Sequence, residues 1–452
     1  MRVVFFTRPR FSRPPRCSSA LSTFSRPRPA PPARLCAPAN RPGLPAFPRP
    51  TRGSPATSIP SWSLLPRRTA PYSTARMPAR IPIWLDCDPG HDDAVAILMA
   101  LHLPEIDLLG ISTVHGNASL FNTSRNAARC LLVFGSPEQA KRIPVYAGAE
   151  KPLLRYVRHD SEIHGEDGLG GVEGLPPSDS PSVLSKLDET KGRNAVVALA
   201  DAARSLPDGQ QLTIVATGSF TNVALFVSLY PELVRDKIER VVVMGGAEGR
   251  GNRSPTAEFN VLCDPHAASI LLDAEVPVVM APLNITHTAI FRKDDNAALL
   301  VPPSAIPDLA SSTPDATAHP SRAYTPLRHT LHTLLNFFAS TYKSVFSFDD
   351  GPPVHDALCI AYLARPEIFK AKRYRVDVET EGTHTQGTTV VDLYDYKKDE
   401  LVEYKKDPES RASWGRFGKN VLVLEELDVP EFWRMFQQCV DEADKVSPLN
   451  SK

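Results

Sequence analysis

No run of about 18 apolar residues occurs in the 452-residue chain, so no segment is long and apolar enough to cross a bilayer as a helix. Paired cysteine spacing is also missing. The seven cysteines are odd in number and scattered, which excludes a disulfide framework and a zinc site of ordinary spacing and fits a reducing compartment. Internal repeats are absent as well. Residues 1–76 contain no Lys, Asp or Glu but fourteen Arg. Beyond them, 37 basic residues stand against 51 acidic ones, so the body of the chain is acidic and unsuited to non-specific nucleic-acid binding.

Residues 1–79 alternate Arg, Pro and Ser and have too few apolar residues to offset chain entropy, so a disordered leader outside the fold is expected there. Its acid-free, Arg- and Ser-rich composition fits an organellar transit peptide, with a processing region at Arg67–Ala75. Its prolines break amphipathic helices, however, and Met77 offers another start just before the first apolar run. A cytosolic protein beginning near Met77 is the expectation, with mitochondrial import as the alternative. One large domain is expected over residues 80–445, with 446–452 as a tail.

What the chain does contain is a carboxylate cluster, Asp86-Cys87-Asp88-Pro89-Gly90-His91-Asp92-Asp93. It lies where the apolar run Ile81, Ile83, Trp84 and Leu85 gives way to a helical pattern through Ala94, Ile97, Leu98 and Leu101, with Pro89-Gly90 at the turn. Two ionised carboxylates about 4 Å apart repel by roughly 4 kcal/mol at an effective dielectric of about 20. Such a cluster expects a cation. Cys87, between two of the aspartates, is expected to be a buried bystander on the opposite face of the strand.

Strand and helix patterns then alternate. Strands are expected at Ile106–Val114, Ile143–Ala147, Leu212–Ala216, Ile238–Met244 and Val276–Ala281, with helices between them, as in a parallel sheet. Later elements are a helix at Pro326–Phe346, a helix opened by Val354-His355-Asp356, strands at Tyr374–Glu379, Thr388–Asp392 and Val421–Leu424, and a helix at Pro430–Val440. The expected fold is therefore α/β, a mainly parallel central sheet flanked by helices. Ligands of such sheets bind beyond the carboxyl ends of the strands, where Asp88 and Asn117 fall. Residues 149–191 read as a long lid or disordered insert, with His164 read as an exposed loop residue, its alternative being contact with a ligand. Asp264 before Pro265 reads as a helix cap. Residues 301–326 and 394–416 read as a surface insertion and a solvated charged insert.

Two rival motifs fail. An EF-hand loop from Asp86 would need Asp or Asn at Gly90, Gly at His91 and Glu at Ile97. An aspartyl-phosphate phosphatase usually carries Thr or Val where Gly90 stands, and no partner Lys motif is evident.

The Asp86–Ala96 stretch, His115-Gly116-Asn117, Ala216-Thr217-Gly218 with Thr221-Asn222, Asn252 followed by Ala257-Glu258-Phe259-Asn260, and Val354-His355-Asp356 together resemble the inosine/uridine-preferring nucleoside hydrolases, in order across residues 80–445. The resemblance implies Ca²⁺ held by Asp88, Asp93, Asp356 and the Thr217 carbonyl, with Asp88 as the base that takes a proton from water. It implies Asp92 at the ribose 2′-hydroxyl, Asn260 at the 3′-hydroxyl, Asn252 and Glu258 at the 5′-hydroxyl, and Asn117 beside the ribose and Asp88. His355 matches a histidine proposed to protonate the leaving base. Asp86 has no implied ligand role and is expected to support Asn117 or the turn. The lid at 149–176 and the helix near 326–346 would contact the base.

The implied activity is hydrolysis of ribonucleosides to ribose and base by a homo-oligomer, dimer or tetramer. A catalytically silent nucleoside- or ribose-binding protein and a phosphotransfer enzyme are the competing readings.

Overall fold

The computed structural model describes residues 80–302 and 323–451. The leader and most of the 301–326 insertion lie outside the described residues. Eight strands form one sheet: β1 (Ile81–Cys87), β2 (Ile106–Thr113), β3 (Val145–Ala147), β4 (Leu212–Ala216), β5 (Ile238–Met244), β6 (Val278–Ala281), β7 (Phe369–Tyr374) and β10 (Val421–Leu427). Their spatial order is β3-β2-β1-β4-β5-β6-β10-β7, with every neighbouring pair parallel except β10 and β7. The strands β8 (Val376–Val378) and β9 (Thr389–Val391) pair antiparallel in a separate ribbon. The expected mainly parallel sheet is present.

Strand order reverses between β1 and β4, because the chain runs outward from β1 through β2 to β3 and then returns to the other side of β1. A crevice opens at such a switch point beyond the strand ends. β1 is buried on both faces. Ile83, Leu85 and Cys87 pack into one apolar cluster and Trp84 into another, the two faces of the sheet expected from alternation. A Cβ on Gly110 would stand 2.6 Å from the Trp84 ring, so the residue facing Trp84 in β2 has to be glycine. Cys87 is buried, as expected.

Helix α1 (His91–His102) follows β1 after a three-residue turn and is buried from His91 to Leu101. A helix enclosed on all sides is a fixed support, and this one begins at the cluster. Helix α2 (Leu120–Phe134) is capped by Ser119, whose hydroxyl accepts from the Asn122 N–H. Asp264 caps the Pro265–Leu272 helix through the Ala267 N–H and also accepts from the Thr221 hydroxyl at 2.7 Å.

Several expectations differ from the structure. The 149–191 stretch contains helices at Ser161–His164 and Pro181–Asp188. His164 is buried, because Phe338 and His91 stack on its ring. The strand expected at Tyr374–Glu379 is split between the end of β7 and β8, and the charged Phe369–Tyr374 forms the sheet's edge. Charge on an edge strand discourages pairing with another chain.

The 394–416 segment is docked rather than merely solvated. It contains a helix at Val402–Lys406, and Arg373 of β7 lies 3.5 Å over the Trp414 ring while donating to the Pro408 and Ser413 carbonyls. A helix at Lys293–Leu300 was not expected from the sequence.

Candidate active site

The site is built at the β1–β4 switch point. Asp88 directly follows β1, and its Oδ2 accepts the Asn117 N–H at 2.7 Å, while its buried Oδ1 has no partner. Two glycines make room for this carboxylate. A Cβ on Gly116 would come within 1.8 Å of Oδ2, and one on Gly218 within 2.8 Å of Oδ1.

Asp93, on the first turn of α1, accepts from the Gly90 N–H (3.0 Å), the Asn117 side-chain amide (3.1 Å) and the Thr217 hydroxyl (2.9 Å). Its position is therefore fixed from three elements at once. Carboxylate oxygens of Asp92, Asp93 and Asp356 lie within 4.8 Å of one another, all buried. Asp88 stands outside that trio. Burial, with the neighbouring carboxylates adding to it, pushes the Asp88, Asp92 and Asp356 carboxyls well above the usual range. An oxygen-only donor set with an orphaned carboxylate oxygen beside it fits a hard cation.

Above this floor lies one cavity, lined by eight of the residues singled out in the sequence: Asp92, Asn117, Thr217, Asn252, Glu258, Asn260, His355 and Asp356. Asp88 and Asp93 lie beneath it. Asn260 donates to the Thr217 carbonyl (2.7 Å), and its own N–H reaches Glu258 Oε1 at 2.8 Å. Glu258 caps the Phe259–Cys263 helix and also accepts from the Gly246 N–H at 2.9 Å. Burial raises its carboxyl to about 7 against the pull of these backbone donors. Asn252 Oδ1 is buried without a partner.

His355 is held on both sides. The Tyr342 hydroxyl lies 2.7 Å from Nε2 and the Thr286 hydroxyl 2.8 Å from Nδ1. Burial lowers its pKa well below the ordinary value, with His287 adding to the effect, so its imidazole is neutral.

Asp86 is not a support for Asn117. Its Oδ2 accepts from the Ser112 hydroxyl and from Asn222 Nδ2 (2.8 Å), because alternation along β1 turns it away from the turn and toward β2 and the β4 exit. Burial raises its carboxyl to about 7.

Residues that sequence reasoning missed also line the cavity: Asp160, Met244 and Tyr342, beside Phe259 and the His164 expected to be exposed. His164 Nδ1 accepts the His91 N–H at 3.2 Å, and His91 Nε2 lies 3.0 Å from the Gly170 carbonyl. A carbonyl only accepts, so His91 carries its proton on Nε2. His164 stands just before the glycine-rich turn through Gly165, Gly168, Gly170 and Gly171, and nothing local indicates its burial.

A parallel sheet with buried carboxylates at its switch point, under a cavity walled by amides and carboxylates, defines an α/β protein whose site has the donor chemistry for a cation and a hydroxyl-rich ligand. A family profile described as inosine-uridine preferring nucleoside hydrolase matches residues 83–434. The chain belongs to that family.

It is 40% identical over 314 residues to the pyrimidine-specific ribonucleoside hydrolase RihA of Citrobacter koseri, covering 70% of this chain and 89% of that one. Its identity to the RihA of Escherichia coli K12 is 39% over the same length and coverage. Among solved structures, the purine-preferring ribonucleoside hydrolase from Gardnerella vaginalis superposes with a TM-score of 0.64 at 26% identity, over 81% of this chain and 100% of that one. An inosine-guanosine nucleoside hydrolase shares the fold, with a TM-score of 0.65 at 24% identity over 80% and 99% of the two chains.

Proposed function

We propose that the chain hydrolyses the N-glycosidic bond of ribonucleosides, inosine and uridine among them, to ribose and free base. Family membership supports the reaction, and the observation that carries it to this chain is the unpartnered Oδ1 of Asp88 at the floor of the cavity. The resident metal is proposed to be Ca²⁺, held by Asp93 and Asp356, whose oxygens cluster with that of Asp92, together with Asp88 and the Thr217 carbonyl beside them. When bound, the ion would supply oxygen coordination for sugar hydroxyls and a water.

Asp88 keeps Oδ2 on the Asn117 N–H, which leaves Oδ1 free to take a proton from that water. The water oxygen bonds to the anomeric carbon, the carbon–nitrogen bond breaks, and the base nitrogen gains a proton. Positive charge builds on the sugar as the bond breaks, and the surrounding buried carboxylates and amide oxygens are already oriented to stabilise it.

Asp92 is assigned to the 2′-hydroxyl, Asn260 to the 3′-hydroxyl, Asn252 and Glu258 to the 5′-hydroxyl, and Asn117 to the space between ribose and Asp88. Asn252 Oδ1, buried and unpartnered, is a ready acceptor for a substrate hydroxyl. His355, with the Tyr342 hydroxyl at Nε2, is proposed to protonate the departing base as an imidazolium, returning to the neutral ring that burial favours. Base contacts fall to the 149–176 segment and the Pro326–Phe346 helix, which supply His164 and Tyr342 to the cavity wall.

Among the described residues no helix is long and apolar enough to cross a membrane. A cytosolic location and a homo-oligomeric state, dimer or tetramer, complete the proposal. Size-exclusion chromatography with light scattering checks the latter.

Purified full-length protein supplied with calcium should release reducing sugar from inosine or uridine, and Asp88→Ala should not. Inosine binding without turnover would replace this reading with that of a silent binding protein. A panel of ribo- and 2′-deoxyribonucleosides would then define the preferred base and test the grip on the 2′-hydroxyl.

A further inference from the structure

We infer that Arg253 and Asp160 form a latch that positions Asn252 and so makes the site selective for a 5′-hydroxyl on the sugar. The inference rests on the ribose assignment proposed above.

Arg253 directly follows Asn252, on a loop turned so tightly that a Cβ on Gly251 would stand 2.2 Å from the Ala257 carbonyl oxygen. The N–H groups of Asn252 and Arg253 both reach that Ala257 carbonyl, at 3.2 and 3.3 Å. The loop thus moves as one body. Its only charged anchor toward the cavity wall is the Arg253 guanidinium, which donates from Nε to Asp160 Oδ2 at 2.9 Å and from Nη2 to Oδ1 of the same carboxylate. A third contact, to Glu162 at 3.4 Å, ends on an exposed side chain and adds little. The guanidinium also lies 5.1 Å from the centroid of the Phe346 ring.

Asp160 is itself part of the cavity wall. Its N–H donates to the Asn117 carbonyl at 3.1 Å, and its own carbonyl accepts from the Ile163 and His164 N–H groups. One two-pronged ion pair therefore joins the loop bearing Asn252 to the turn bearing His164 and to Asn117. The Arg253 and Asp160 side chains are only 17% and 10% exposed. Desolvating such a pair costs about as much as its attraction returns, so its use lies in fixing geometry. A planar guanidinium gripping a carboxylate at two points fixes orientation as well as distance.

The atom whose position this decides is Asn252 Oδ1, buried and without a partner. Asn252 and Tyr342 are shared between the sugar cavity and an outer cavity lined by Arg250, His287, Phe346 and Phe348. With Arg253 removed, the loop loses its anchor at that shared wall, and Asn252 no longer meets a substrate hydroxyl at a set place. Arg253 is a positioning residue, since it acts through Asn252.

The test compares uridine with 5′-deoxyuridine in the full-length protein. Wild type should favour uridine in kcat/KM. Arg253→Ala should raise KM for uridine about tenfold, leave kcat within about threefold, and collapse the preference over 5′-deoxyuridine. Arg253→Lys, which keeps the charge but not the fork, should recover part of that preference. Asp160→Asn combined with Arg253→Ala should be no worse than either alone.

Equal losses on both substrates, or an unchanged preference, would overturn the latch. Hydrogen exchange gives a measure that does not need turnover. In Arg253→Ala the amides of residues 157–165 and 250–257 should exchange faster together while the melting temperature holds. If only the 250–257 amides respond, the coupling is refuted. Wild-type protein that releases no ribose from any ribonucleoside would sink the proposed function, and the exchange result would still decide the coupling.

Discussion

At the floor of the cavity, Asp88 and Asp93 are held by groups within the switch point: the Gly90 and Asn117 N–H groups, the Asn117 amide and the Thr217 hydroxyl. At the rim, Asp160 and His164 come from one segment and Arg253 and Tyr342 from two others far along the chain, and the Arg253–Asp160 ion pair joins two of the three. The floor is rigid because strand ends and an enclosed helix support it. The rim is assembled from separate segments, with Tyr342 on the Pro326–Phe346 helix and His164 at the end of a short one, and its parts can change without disturbing the sheet. Chemistry common to a family belongs on the first kind of support and substrate preference on the second.

The largest test of this division is metal removal. Dialysis against a chelator should abolish ribose release, and added calcium should restore it. Restoration by Mg²⁺ alone would contradict the oxygen-rich calcium assignment. Next, Asp88→Ala should lower kcat by about 10³-fold or more with KM little changed, the pattern of a lost general base. At the rim, His355→Ala should cost about 10²-fold in kcat, and Tyr342→Phe less, since phenylalanine keeps the ring and removes only the hydroxyl behind Nε2. A rim variant that matched Asp88→Ala would break the comparison.

Gly116→Ala should destabilise by about 1–3 kcal/mol in denaturant unfolding and also impair turnover, because its methyl group collides with the Asp88 carboxylate.

The smallest effect is a slope. Glu258 is raised from an ordinary 4.5 to about 7, so the folded state holds its proton more tightly than the unfolded state does. Its contribution to stability is full below pH 4.5 and is lost as pH rises toward about 7. Melting curves of Glu258→Gln should fall less steeply over that window than those of the wild type.

The floor was legible in the sequence because its residues are contiguous. Asp86 to Asp93 span one strand end and one helix start, and the two periods on either side locate the turn. The β4 and β5 strands matched their expected bounds, since both are short buried apolar runs with clear ends.

The rim was legible as segments, the 149–176 lid and the 326–346 helix, but not as side chains. His164 is buried by Phe338 and His91, partners that no local pattern in residues 149–191 points to. The partner of Asp86 could not be chosen either, because Asn222 enters from a helix start 136 residues away. The edge strand β7 escaped notice because Lys370, Lys372 and Arg373 obscure its alternation.

The first N–H of α1 is satisfied by His164, a residue 73 positions later in the chain. A helix start normally finds its cap within a residue or two. Here the floor borrows a cap from the rim, and His91 Nε2 reaches the Gly170 carbonyl of the same segment, so two directional contacts join that segment to the catalytic helix. A segment grafted in place of residues 149–171 is thus free in length and composition on its outer side. It must deliver two acceptors, one to the N–H of His91 and one to its Nε2, and a graft without the first would leave that backbone donor buried and unpaired beside the carboxylate cluster, at a cost of about 1–3 kcal/mol.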